Sequence, residues 1–418
     1  YVARLGATGL QIGLLNAGPA IINLAFTLPA GGWLHRHPIG PAVFWTALLS
    51  RLAYLPWIFI PLFPWAQAQV WSLILLILLA SIPGTMLAIG FNSMYASAVP
   101  PLWRGQVMAV RNGMLSVVYI ATSILCGVIL NRFPLTIGYQ IVFGLGFLGA
   151  AMSTVHLWFL RKQGLPVKDG AQPGAPPTTM RSTLGDYAYP GTARFLGLTL
   201  RSSIGLRIFA RGSCLLRPDL LRGTFLRLLA ALFFFHFGQF FAIPLFPLRW
   251  VDQLHFNDGQ ISLGTAVFYA AVLFGSVPFG WMTNHWGNRR LTASGAILLS
   301  SYPLLSAFMT GLPVYLIASV LGGLAWAFVG GALANYLLEK IPDDDRPAHL
   351  AWYNLSLNGA ILLGSISGPL LATRIGVVNA LLCAFLLRLF AGVSLWFVDR
   401  TKRVISGTDE DDGIQPAE

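Results

Sequence analysis

Eleven apolar stretches of at least 20 residues, separated mostly by short polar connections, set the rhythm of this chain. They cover residues 10–34, 41–64, 70–98, 107–130, 137–160, 225–246, 261–283, 291–310, 314–338, 350–372 and 377–398. A helix that crosses a bilayer takes about 20 predominantly apolar residues. The pattern therefore predicts an all-α membrane protein with eleven visible transmembrane helices, five before the middle and six after it. The rhythm breaks at residues 163–222. The front of that segment carries Gly164, Pro166, Gly170, Pro173, Gly174, Pro176 and Pro177 and reads as a flexible linker. Its rear mixes Phe195, Leu198, Leu200, Ile204 and Phe209 with Arg194, Arg201, Arg207 and Arg211. That mixture fits a basic amphipathic helix on anionic headgroups or a solvated tether, and composition favours neither. Residues 404–418, with Asp409-Glu410-Asp411-Asp412, read as a disordered acidic tail.

The two flanking halves repeat each other. At a spacing of 249, Tyr1-Val2-Ala3-Arg4-Leu5 falls on Trp250-Val251-Asp252-Gln253-Leu254, Gln11-Ile12 on Gln260-Ile261, and Pro29 on Pro278. At a spacing of 242, Val99-Pro100 falls on Ile341-Pro342, Arg104 on Arg346, Asn112 on Asn354 and Arg132 on Arg374. The first half therefore holds seven more residues between the blocks, and the connection near residues 64–69 is one place for them. Internal repeats of this kind are how many membrane carriers are built. Residues 1–162 and 223–403 are expected to form two helical bundles, with 163–222 a central loop. The apolar stretch at 225–246 has no counterpart ahead of Tyr1, and the chain has no initiating Met. The repeat thus predicts a first helix that this chain lacks.

Composition agrees with the pattern. The chain is 56% hydrophobic and 10% charged, too few charges to cover a soluble surface of this size. The net charge of +12 would suit nucleic acid, but most of the excess lies on connections between spans. Membrane proteins keep such cations on the cytoplasmic side, so no nucleic-acid partner is expected. Arg36, Arg161, Lys162, Arg289, Arg290 and Lys340 fall on one side, and Arg4, Arg132, Arg249 and Arg374 on the other. The first side is expected to be cytoplasmic, with the central loop and C-terminus, in a cell or inner membrane. Cys126, Cys214 and Cys383 have no metal or disulfide spacing. No metal and no cofactor is expected.

Two short motifs carry a family resemblance. Residues 280–290 read Gly280-Trp281-Met282-Thr283-Asn284-His285-Trp286-Gly287-Asn288-Arg289-Arg290. Gly280, Gly287, Arg289 and Arg290 resemble the cytoplasmic loop signature of the major facilitator superfamily. Asn284 stands where that family has an acid. The first copy keeps Gly31 and Arg36, while His35 and Pro38 replace the acid and the second glycine. Pro100-Pro101-Leu102-Trp103-Arg104-Gly105-Gln106 is similar to the Pro-then-Arg-Gly turn between the family's fourth and fifth helices. The resemblance implies two six-helix bundles related by a pseudo-two-fold axis. It further implies alternating access to a central site and a loop that latches neighbouring helices. The loss of the acid in both copies puts a charged latch in doubt. Gly364 and Gly368-Pro369 on the eleventh family helix fit a kinked, closely packed helix better than an export motif.

None of the fifteen acidic residues lies in the middle of a span. Proton-driven carriers need a buried carboxylate or histidine, and here the visible options are His236 and, nearer an end, His156. Arg51, Arg111 and Arg388 are charges inside spans, which are costly and often functional. The resemblance places Arg51 and Arg388 on peripheral helices, where a structural role is as good a reading as substrate contact. Arg111 is the better candidate for a gate or an anion contact. Asn16 and Asn23, seven apart, share a helix face, as do His236 with Gln239 and Asn354 with Asn358. With Arg111 and Asn112 these are the candidate binding or gating residues, and interhelical hydrogen bonding is the plainer role for each. The expected function is secondary transport of a small organic solute by a monomer in the lipid bilayer, with protons as a candidate coupling ion. An intramembrane lipid-modifying enzyme and a non-transporting sensor on a carrier scaffold remain as alternatives.

Overall fold

The computed structural model describes residues 1–98, 101–161, 218–342 and 346–398. Within these residues there are eleven long helices and no strand. They are α1 (Gly9–His35), α2 (Ile39–Leu52), α3 (Ala66–Ala98), α4 (Pro101–Arg132), α5 (Leu135–Arg161), α6 (Gly223–Ala242), α7 (Asp258–Gly275), α8 (Phe279–Phe308), α9 (Leu312–Lys340), α10 (Arg346–Ile375) and α11 (Val377–Phe397). Ten helical segments are long and apolar enough to cross a membrane. The eleventh helix, α7, has 18 residues and opens on the polar Asp258 and Gln260. Cys126 and Cys383 are free thiols, and Cys214, the arginine-rich part of the central loop and the acidic tail lie outside the described residues.

The sequence repeat is visible as matched local geometry. Thr8 and Gln11 close a reciprocal capping box at the start of α1, and Asn257 and Gln260 close the same box on α7. Each box satisfies two backbone donors that a helix start leaves open. Just upstream, Gly6 and His255 hold the equivalent left-handed backbone at φ 71° and 53°. A glycine reaches that region without strain, whereas a histidine is an uncommon occupant. The halves differ between α2 and α3. There the chain winds into two short 3-10 turns, Leu55–Ile58 and Ile60–Leu62, whereas α8 runs on to Phe308.

Helices α1–α5 pack on one another, as do α6–α11, and two seams join the groups. In one seam α1 lies along α10; in the other α4 lies along α7. The largest buried cluster is built mainly from α6, α8, α9, α10 and α11, with Leu232, Phe235, Tyr336 and Tyr353 near its centre, and Ala20 of α1 reaches it across the seam. Close approach at the first seam depends on Gly13. A Cβ there would collide with the Ser365 carbonyl of α10. On its other flank α10 packs through Gly364 and Gly368 onto the backbone of α6 at Phe237 and Phe241. Gly322, Gly323 and Gly331 of α9 likewise abut neighbouring side chains, whereas Gly144, Gly146 and Gly149 of α5 face open space and are not a packing face.

Candidate functional site

Asn23, Thr85 and Asn358 meet where the two groups join. The side-chain amide of Asn23 on α1 donates to the Asn358 side-chain oxygen on α10 at 3.4 Å, and the Thr85 hydroxyl on α3 donates to the Asn23 oxygen at 2.8 Å. Asn358 in turn donates to the Asn354 backbone carbonyl one turn away, at 2.9 Å. Asn358 and Thr85 are buried and Asn23 is half-buried. One residue before Asn354, the phenol of Tyr353 lies 3.0 Å from Nε2 of His236 on α6. Asn23 and Asn358 thus meet on the α1 flank of α10, and His236 meets Tyr353 on its α6 flank. Together the two contacts offer amide, hydroxyl and imidazole groups, which suit recognition of a polar solute better than covalent chemistry.

The other candidates are not brought to the same place. Asn16 is half-buried and, among the described residues, its amide donates to the Ile12 carbonyl of its own helix, at 3.5 Å. Gln239 lends its backbone carbonyl to Arg388. Arg111 lies over the Phe91 ring of α3, with its guanidinium carbon 5.8 Å from the ring centre. Asn112 and Asn354 are both buried at equivalent points of α4 and α10. Both side-chain polar atoms of Asn112 lack a hydrogen-bond partner among the described residues. His156 faces outward on α5, with Nδ1 against the Met152 carbonyl of its own helix.

Arg388 is tied into the packing of its own helix group. Its fully enclosed guanidinium donates to the carbonyls of Gly238, Gln239 and Leu299, tying α11 to α6 and α8. Arg51 donates to the Thr154 hydroxyl at 3.0 Å, between α2 and α5 and away from both seams.

The loop signature also takes a form that residue order did not reveal. Gly31 lies in the last turns of α1, and Arg36 is the exposed residue that ends that helix. Gly280 and the stretch after it are helical, broken at Gly287 by φ 76° and ψ 158°. Glycine is essentially the sole occupant of that backbone region. Asn284 is exposed, Arg289 is half-buried and Arg290 is exposed. The polar link here is Asn288, whose buried amide donates to the Glu339 carboxylate at the end of α9. Asp343, Asp344 and Asp345 lie outside the described residues.

At the Tyr1 end, further contacts close both seams. Arg4 pairs with Asp258 at 3.3 Å and also donates to the Phe256 carbonyl. The Asn131 side chain accepts from the Gly259 backbone at 3.1 Å, and farther along the same seam Tyr119 stacks on Tyr269 with ring centres 4.2 Å apart. Sequence reading missed Thr85, Tyr353, Asn131 and Asn288. Each is an ordinary residue in its own helix and acquires meaning only from its partner.

These features define a multi-pass, all-helical membrane protein whose two pseudo-equivalent helix groups meet along a polar seam. The sequence model described as Major Facilitator Superfamily matches residues 228–416, and solved structures of that superfamily share the fold over nearly the whole chain. The second half of the chain thus matches the major facilitator superfamily by sequence, and the chain as a whole resembles that superfamily in fold. A bacterial homologue of the iron transporter ferroportin, in an inward-facing state, is similar at a TM-score of 0.64 and 16% identity, over 94% of this chain and 91% of that one. The human organic anion transporter MFSD10 is similar at 0.58 and 17%, over 92% and 83%. The proton:xylose symporter XylE is similar at 0.55 and 15%, over 94% of each chain. At these identities the likeness is one of fold. Among curated proteins, the MFS-type transporter ppzB of Metarhizium majus is 26% identical over 133 residues, 31% of this chain and 28% of that relative.

Proposed function

We propose that this protein is a secondary carrier that moves a small organic solute across the membrane by alternating access. The observation that carries this reading is the Asn23–Asn358 bond with its Thr85 support, a polar junction between two otherwise apolar helix groups. Residues 1–162 and 223–403 act as the two rocking bodies, as in carriers built from repeats. The described contacts between them lie at the Tyr1 end and midway along α1 and α10, consistent with a state closed on that side. The cation-rich ends at Arg36, Arg161 and Lys340 then face the cytoplasm.

His236, paired with Tyr353 between α6 and α10, is the candidate proton carrier. Arg111 and Asn112 gate the path from the Arg36 end. The solute is a neutral or anionic organic molecule, a class supported by two structural neighbours, an organic anion transporter and a proton:xylose symporter. The carrier works as a monomer. Reconstitution of the full chain in liposomes, followed by uptake across a panel of sugars, nucleosides and organic anions, tests the reading. Saturable uptake that Asn358→Ala abolishes is the expected result. No uptake of any panel member would turn attention to a sensor or an intramembrane enzyme.

A further inference from the structure

We propose that the cleft between α2 and α5 is a binding site for an anionic phospholipid, whose phosphate neutralises Arg51. The site lies apart from the central seam and does not depend on the transport reading. Arg51 is half-buried in the middle of the span Ile39–Leu62. A cation at such a place is costly unless it is paired. Its one hydrogen bond among the described residues is to a neutral group, the Thr154 hydroxyl, at 3.0 Å. No counter-charge comes from residues 1–168, which contain no acidic residue. The helices that pack most closely against α2 and α5 belong to that half.

The cleft itself has the shape for the other part of a lipid. It is a cavity of about 400 Å³ whose walls are apolar, including Phe44, Leu48, Phe147, Ala151, Val155 and Trp158. Val155 and Trp158 are exposed on the outer flank of α5, so the cleft opens sideways. A second guanidinium stands at its rim. Arg161, at the end of α5, stacks on Trp158 with its guanidinium carbon 3.4 Å from the ring centre and lies 5.4 Å from the Phe44 ring.

Depth agrees with this assignment. Thr154 lies about 10 Å before the end of α5 at a helical rise of about 1.5 Å per residue. The headgroup layer occupies the outer 5–7 Å or so of each leaflet. The long arginine stem carries the Arg51 charge toward that layer. A phosphate drawn between Arg51 and Arg161 would receive charge-assisted hydrogen bonds from both, and its acyl chain would fill the cleft.

The test uses the full chain in nanodiscs made from equal parts phosphatidylcholine and phosphatidylglycerol. Lipid retained through a delipidating detergent wash is counted by mass spectrometry. Wild type is expected to retain phosphatidylglycerol over phosphatidylcholine. Arg51→Gln should lower that preference about tenfold, the weight of one charge-assisted hydrogen bond, and Arg51→Lys should keep part of it. Ala151→Trp fills the cleft without touching a charge and should lower retention as well. It decides the matter if Arg51→Gln does not fold. Lys340→Gln removes a cation elsewhere and should change nothing. Equal retention by wild type, Arg51→Gln and Ala151→Trp would overturn the proposal, as would displacement of the lipid by inorganic phosphate.

Discussion

The side chain of Asn23 faces two ways: its amide donates to Asn358 and its oxygen accepts from Thr85. One residue of α1 thus connects α3 in its own helix group with α10 in the other. Interhelical hydrogen bonds in membranes are worth on average only about 0.6 kcal/mol. Such a bond is easily exchanged for one to a solute, as the proposed carrier site requires.

That energy separates function from stability in a variant. Asn358→Ala is expected to shift the unfolding midpoint very little, since the lost bond is weak. Initial uptake in liposomes should fall about tenfold or more, which corresponds to roughly 1.4 kcal/mol of lost solute recognition. Parallel measurement of the melting temperature and uptake rate checks this. A large fall in stability with unchanged solute affinity would assign Asn358 to packing instead.

His236 meets the Tyr353 phenol at 3.0 Å. A histidine can take up and release a proton near neutral pH, whereas glutamine keeps only the hydrogen bonding. His236→Gln should therefore abolish solute accumulation driven by a pH gradient and spare solute exchange between equilibrated compartments. Accumulation at the wild-type level in that variant would remove His236 from coupling.

Much of the fold was legible in the sequence, because spans and repeat depend on hydrophobic runs and on local caps. Gln11 and Gln260 aligned by spacing, and both turn out to close capping boxes. The helix break at Gly287 also fell inside a recognised motif. The site was legible only in part. Asn23, Asn358 and His236 stood out as polar residues in apolar surroundings, but Thr85 and Tyr353 did not. Amino-acid order fixes which face of one helix a residue occupies; it does not fix which helix lies opposite. Asn16 shows the converse, sharing a face with Asn23 yet, among the described residues, donating to the backbone of its own helix.

Arg4 and Asp258 form a partly exposed ion pair across the Tyr1 end. Such pairs contribute roughly 0–1 kcal/mol, enough to bias a two-state equilibrium about fivefold and too little to lock it. Asp258→Asn should enlarge the population open at that end. Spin labels at positions 133 and 379, in exposed sites near that end, would show a larger long-distance fraction. Arg4→Asp combined with Asp258→Arg should restore the original distribution. An unchanged distance distribution in Asp258→Asn would exclude the pair from gating.

Arg388 shows how a charge inside a span can be structural. Its three nitrogens each reach a backbone carbonyl, at 3.3 Å for Gly238, 3.3 Å for Leu299 and 3.1 Å for Gln239. Those carbonyls belong to α6 and α8, so one guanidinium fixes how three helices sit together. Hydrogen bonds to a charged donor contribute about 1.5–3 kcal/mol each, less the cost of desolvating the charge. Arg388→Met should therefore lower unfolding stability by about 3 kcal/mol. Arg388→Lys should recover little, because an ammonium cannot reproduce the planar fork. Unfolding in graded detergent mixtures measures the loss, and solute affinity of the folded fraction provides the contrast. Weaker affinity at unchanged stability would place Arg388 in contact with the solute and end the structural assignment.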